Sequence, residues 1–219
     1  MNKKYYIITC IATILSIISG ILSNDLLIGG STLLTGLLCA YFASEGKRIN
    51  YILALINYIL MAYVSLKNNL YGLFFFYIFI FSPLQIHGFF SWKKHLNKNK
   101  NVKIRQFNVK NSILIIFSCF ISSFILGYLL TLIPNQQLAF LDSSSNCINL
   151  CGVILMIFRF KECWLVWLAN NIIDLTIWSI TFFYNGSHSI MILLTSIGFL
   201  LINIYGIFKW NFQLKKEHL

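Results

Sequence analysis

Charge is scarce in this 219-residue chain. Charged residues make up 11% of it, less than half of the roughly 25% that soluble domains carry. A water-soluble globular domain is excluded on that ground. Recognisable catalytic chemistry is also missing: no HExxH helix, glycine-rich phosphate loop, Ser/His/Asp set or carboxylate pair occurs. An intramembrane enzyme is therefore disfavoured. The six cysteines, Cys10, Cys39, Cys119, Cys147, Cys151 and Cys163, all lie in apolar runs and form no CxxC pair. Disulfides and zinc find no support in that pattern. Cys147 and Cys151 share a helix face, yet no His or carboxylate stands at ligand spacing beside them. They read as packing cysteines, and neither a metal nor a cofactor is expected.

What is present is apolar. Hydrophobic residues reach 58% and aromatics 16%, with a mean hydropathy of +0.76. A helix needs about 20 apolar residues to cross a hydrocarbon core of about 30 Å. The length thus accommodates seven or eight spans and leaves no room for a soluble domain. The formal net charge of +11 does not point to nucleic acid, because the basic residues sit in brief breaks between apolar runs and form no continuous face.

Apolar runs and their breaks predict eight spans, over 5–23, 26–44, 50–66, 70–90, 111–133, 140–160, 163–184 and 190–210. Sorting the 17 Lys and Arg residues alternately between two sides, with the N-terminus in the cytoplasm, tests that count. Sixteen fall inside: Lys3, Lys4, Lys47, Arg48, Lys93, Lys94, Lys98, Lys100, Lys103, Arg105, Lys110, Arg159, Lys161, Lys209, Lys215 and Lys216. Only Lys67 falls outside. A wrong count would scramble the sorting, so eight spans with both termini cytoplasmic are expected in the cell membrane. The first span lacks an A-x-A-like cleavage site and reads as a retained anchor rather than a secretory signal. The resulting organisation is an N-terminal helix (1–25), a three-helix unit (26–90), a basic cytoplasmic loop with a linker helix (91–139), and a second three-helix unit with a tail (140–219).

An internal repeat supports this division. Gln85-Ile86-His87-Gly88-Phe89-Phe90-Ser91-Trp92 aligns with Asn203-Ile204-Tyr205-Gly206-Ile207-Phe208-Lys209-Trp210, 118 residues on, with four of eight positions identical. Asn57 aligns more loosely with Asn171, 114 residues on. Spans two to four and six to eight then form parallel repeats joined by the fifth, a three-plus-one-plus-three plan. Transporters built this way hold substrate between the halves near the midplane.

Within the seventh span, Trp164, Trp167, Asn171, Asp174 and Trp178 fall within about 80° on one helix face. Trp164 alone could belong to an interfacial belt. Asn171 needs a partner or a wet cavity, since a carboxamide inside a span avoids lipid. An aromatic and polar face of this kind suits a flat heteroaromatic ligand, although a helix-helix polar clamp would use the same residues. Gln85 follows Pro83, which frees a backbone carbonyl and is tolerated beside a cavity. Its repeat partner is Asn203, so two amides could face a central pathway. Asp174 reads either as a proton relay or cation counter-ion, or as a carboxylate in water at the outer end. His87 reads as an interfacial residue, and Arg159, Lys161 and Glu162 as a solvated cytoplasmic turn.

The element Trp164-x-x-Trp167-x-x-x-Asn171 resembles the WxxWxxxN signature of the PnuC-type nicotinamide riboside transporters. Gln85-x-x-Gly88 followed by Trp92 is similar to a second stretch of that family, and Asp142 at the start of the sixth span is consistent with it. The resemblance runs from about residue 26 onward. One departure is Phe89, where many relatives carry Trp. The resemblance implies an all-α integral membrane fold related to the SWEET transporters, a homotrimer, and facilitated diffusion of nicotinamide riboside with trapping by a cytoplasmic kinase. It also implies that Trp164, Trp167 and Asn171 bind the ligand, with Gln85, Asn203, Asn57 and Asp174 as further candidates from the repeat and the polar face. Thiamine, riboflavin or a deoxynucleoside are the alternative cargoes. A membrane scaffold or sensor that moves no small molecule is the alternative of another class.

Overall fold

The computed structural model describes residues 3–22, 24–97, 101–106, 109–185 and 190–217. Lys98 and Lys100 of the basic loop lie outside the described residues. Apolar runs with no water to bond their backbones must satisfy every N–H and C=O internally, so they coil into helices. The described helices are α1 (Lys3–Leu22), α2 (Leu26–Ser44), α3 (Asn50–Lys67), α4 (Tyr71–Lys93), α5 (Val109–Thr131), α6 (Ala139–Ile157), α7 (Cys163–Asn185) and α8 (Ile190–Glu217). Among the described residues, six of them (α2, α3, α4, α6, α7 and α8) are long and apolar enough to cross a membrane. The protein is a multi-pass helical membrane protein.

Two helices change register. The first turn of α2, Leu26–Gly30, is a π-helix, and α4 passes through π geometry over Phe76–Phe81 before resuming as α at Ser82. Pro83 explains the second. It stands in the first turn of the resumed α segment, where its missing N–H costs nothing extra. The wider π turn upstream absorbs the mismatch, and Ser82 Oγ donates to the Tyr77 carbonyl at 2.6 Å.

Six helices close into a ring in which α2 packs on α3, α3 on α4, α4 on α6, α6 on α7, α7 on α8 and α8 back on α2. The linker α5 lies outside the ring against α6, and α1 lies outside against α2. Large apolar side chains such as Phe117, Phe120, Phe124 and Tyr128 of α5 and Ile11, Ile14 and Ile18 of α1 are exposed on the outer surface. That inversion of a soluble protein's surface is what a lipid solvent requires. The largest buried side chains are indoles, with Trp92, Trp164 and Trp210 fully buried and Trp178 nearly so.

The two halves meet through matched contacts. Trp92 Nε1 of α4 donates to the Met156 carbonyl of α6 at 3.0 Å, and Trp210 Nε1 of α8 donates to the Ser44 carbonyl of α2 at 3.1 Å. Each bond runs from the third helix of one unit to the end of the first helix of the other. Glycine is required at the aligned positions Gly88 and Gly206, because a Cβ there would fall against the rings of Tyr51 and Trp164 respectively.

All these contacts lie at the basic end of the ring, where Arg48 stacks on Phe89 with its guanidinium carbon 4.7 Å from the ring centroid. The described part of the segment after α4 is a strap, its backbone bonded to neighbouring turns while the side chains of Lys103 and Arg105 stay exposed. Val102 N–H donates to the Gly46 carbonyl at 2.9 Å, Arg105 N–H to the Arg159 carbonyl at 2.8 Å, and Lys161 N–H to the Arg105 carbonyl at 3.0 Å. The strap's own Val102 and Ile104 are buried. Arg105 lies over Phe160 with its guanidinium carbon 4.7 Å from the centroid. The turn holding Arg159 and Lys161 is thus packed under the strap.

Candidate functional site

The ring encloses a central cavity with about 930 Å³ of empty space, open solvent at its mouth included. Every ring helix contributes to the wall. The seven residues singled out from the sequence, Asn57, Gln85, Trp164, Trp167, Asn171, Asp174 and Asn203, all border it. Trp178, the fifth member of the seventh-span face, borders it too.

The helix α7 carries most of the chemistry. Trp164 and Trp167, one turn apart, meet edge to face at 5.4 Å between centroids. This geometry suits the ring quadrupoles. Trp164 is fully buried, so it is not part of an interfacial belt. Trp167 is held by Nε1 donating to Asn149 Oδ1 of α6 at 3.1 Å.

Asp174 is on the cavity wall and not in outer solvent. Ser145 Oγ donates to its Oδ1 at 2.6 Å, and Asn170 Nδ2 donates to its Oδ2 at 2.8 Å. It is the one carboxylate on the described wall, which holds no Lys, Arg or His. A carboxylate inside a membrane bundle without a basic partner favours a cationic guest.

The repeat-related amides differ in employment. Asn57 Nδ2 donates to the Thr32 carbonyl at 2.9 Å and to Thr35 Oγ1 at 3.1 Å, clamping α3 to α2. Asn171 Nδ2, also buried, has no partner among the described residues. Trp164 Nε1, Asn170 Oδ1, Asn50 Oδ1 and Tyr51 Oη are likewise buried and unpartnered, and all five residues border the cavity. Buried polar atoms are nearly always satisfied in folded proteins. Five such exceptions border this cavity and leave bonding capacity for a polar guest, while others, such as Ser65 Oγ and Gln213 Oε1, lie away from it.

Asn50, Tyr51, Asn149 and Asn170 were not visible as site residues from the α7 helix face alone. The repeat offers a signal for one of them, since Asn50 lies 114 residues before Trp164, the same offset that relates Asn57 to Asn171.

Asp142 plays a different part at the far end. Fully buried, it accepts from Gly72 N–H at 3.1 Å, Gln136 Nε2 at 2.9 Å and Asn146 Nδ2 at 2.7 Å. Gln136 Oε1 in turn accepts from Tyr71 N–H at 2.9 Å. The carboxylate thereby caps the first turn of α4, where orphan N–H groups and the helix dipole favour a negative charge, and ties it to α6.

The sequence matches the family model described as nicotinamide mononucleotide transporter over residues 26–212. The nicotinamide riboside transporter PnuC of Neisseria mucosa is 30% identical over 193 residues, covering 84% of this chain and 71% of its own length. The Haemophilus influenzae protein of the same name is 26% identical over 188 residues, covering 84% and 79%. The fold is similar to the crystal structure of the vitamin B3 transporter PnuC, with a TM-score of 0.86 at 26% identity, over 99% of this chain and 94% of that one. A central cavity of mixed apolar, aromatic and amide lining in a membrane-spanning ring, a family model covering most of the chain and this likeness of fold agree: the chain belongs to the nicotinamide mononucleotide transporter family and is a membrane transporter, not an enzyme.

Proposed function

We propose that this protein takes up nicotinamide riboside by facilitated diffusion through the central cavity. The observation that carries the reading is the wall itself. Edge-to-face indoles, unpartnered amide groups and one carboxylate border a space that, among the described residues, no basic side chain lines. Nicotinamide riboside brings a flat cationic ring, a carboxamide and ribose hydroxyls. Trp164 and Trp167 hold the ring by stacking and cation–π attraction, and Asp174 balances its charge. Asn171 Nδ2 and Asn170 Oδ1 offer one donor and one acceptor to the carboxamide. Gln85 and Asn203, with Asn57 between its clamp bonds, serve the sugar. Relatives alike over most of this chain's length bear the name of this substrate.

The architecture that goes with this reading is a SWEET-like 3+1+3 bundle of parallel repeats with an extra N-terminal helix. It has eight spans, with the basic end and both termini in the cytoplasm and three copies assembled as a homotrimer. The six-helix ring, the reciprocal tryptophan bonds and the excess of Lys and Arg at one end support it. A cytoplasmic kinase would then trap the substrate by adding a phosphate.

Titration of the purified protein with nicotinamide riboside, thiamine, riboflavin and a deoxynucleoside tests the assignment. Nicotinamide riboside should bind tightest, and Trp164→Ala and Trp167→Ala should each weaken it about tenfold or more, the effect of losing a stacking contact of about 1–3 kcal/mol. Tighter binding of thiamine or a deoxynucleoside overturns the choice of substrate.

A further inference from the structure

Neither Trp92 nor Trp210 borders the cavity, yet both are fully buried at its basic end. Their rings lie 6.2 Å apart between centroids, Trp210 meets Trp164 edge to face at 5.6 Å, and Trp92 meets Tyr51 edge to face at 5.0 Å. Together the four rings form a continuous aromatic plug, two of whose members, Tyr51 and Trp164, are also cavity wall. A route through the cavity toward the basic end must pass this plug. One half of the ring meets the other along two seams, α4 against α6 and α8 against α2.

Each seam is fastened by one indole N–H to a main-chain carbonyl of the opposite half, Trp92 to Met156 and Trp210 to Ser44. The α8–α2 seam has added fasteners in Tyr205 Oη, which donates to Glu45 Oε1 at 2.6 Å, and Lys209 Nζ, 3.3 Å from the same oxygen. The strap adds its backbone bonds across Gly46, Arg105 and Arg159.

We infer that Trp92 and Trp210 are paired latches, positioning residues that hold the basic-end exit shut and whose N–H···O=C bonds break each time it opens. The inference rests on the reading of the central cavity as the transport route, but not on which substrate uses it. Phenylalanine keeps a six-membered aromatic ring at either position and deletes the bond-forming N–H together with the five-membered ring that carries it, so Cys147 labelling serves to detect any general loosening from the lost packing. A net hydrogen-bond contribution of about 1 kcal/mol corresponds to a change of about fivefold in the open population.

Cys39 is a native reporter, half-buried on the cavity wall, and Cys147, buried in α6 away from the plug, is a native control. Full-length W92F, W210F and the double variant are treated with N-ethylmaleimide, and labelling at each cysteine is followed by mass spectrometry. Each single variant should label Cys39 about fivefold faster than the unaltered protein, with Cys147 unchanged. The double variant should exceed both, and the single variants decide the matter if it cannot be purified. Unchanged Cys39 labelling, or Cys147 rising in step with it, overturns the latches. Nicotinamide riboside binding is measured on the unaltered protein beside this, so a wrong substrate shows there and leaves the labelling result intact.

Discussion

Asn57 and Asn171 align in the repeat, border the same cavity and have opposite bonding, so replacing each by leucine separates fold from function. At Asn57 the side chain supplies two interhelical bonds, to the Thr32 carbonyl and Thr35 Oγ1. Interhelical hydrogen bonds in membranes contribute about 0.6 kcal/mol on average and at most about 1.7. Asn57→Leu should therefore cost about 1–3 kcal/mol of stability, seen as a fall of about 2–10 °C in Tm. Asn171→Leu removes a buried donor that has no partner among the described residues. It should leave Tm unchanged or raise it, because an unsatisfied buried polar group is itself a cost of about 1–3 kcal/mol. The same figure now falls on the ligand, whose polar group loses its partner, so Kd for nicotinamide riboside should rise by about tenfold or more. Both quantities are measured on the same preparations, by thermal unfolding in detergent and by calorimetric titration. If Asn171→Leu melts the protein, or binds normally, the amide is a clamp and the site is misplaced.

Asp142→Ala removes three hydrogen bonds at once and leaves the Gly72 N–H buried at a helix start. Stability should drop by about 3 kcal/mol or more, with Kd in the surviving folded fraction little changed. Thermal unfolding and titration together check this. For topology, Lys94→Cys at the basic end should resist an impermeant thiol reagent in intact cells, whereas Gln137→Cys, exposed at the opposite end, should react. Equal labelling would refute the cytoplasmic placement of the basic end.

Much of the fold can be read from sequence because apolar length dictates helices in lipid. The spans expected at 26–44 and 163–184 match α2 and α7 to within a residue. The last helix instead runs to Glu217, beyond the expected 210, since Trp210 and Leu214 stay buried and stabilise it past the end of the apolar run. The π segment at Phe76–Phe81 left no periodic trace; only Pro83 hinted at it. The strap was hidden because its bonds join Val102 and Arg105 to Gly46, Arg159 and Lys161, residues far apart in the chain whose charges suggest solvent. In the site, the α7 face was legible from 100° periodicity, and all five of its members border the cavity. The partners that α7 meets on the neighbouring helix α6, Asn149 and Ser145, were not, since a lone small polar residue in an apolar helix carries no address. That Asn57 clamps while Asn171 is unpartnered could come only from coordinates, as the repeat makes the two look alike.

Uptake of labelled nicotinamide riboside into proteoliposomes containing only this protein tests the central claim most directly. Internal concentration should rise until it equals the external one, identically with and without a proton gradient. Asp174→Asn, which removes the single carboxylate of the described wall, should slow uptake at subsaturating substrate about tenfold, in line with the ~1.5–3 kcal/mol of a bond to a charged group. No flux at all, or accumulation above the external concentration that collapses with the proton gradient, would contradict the account.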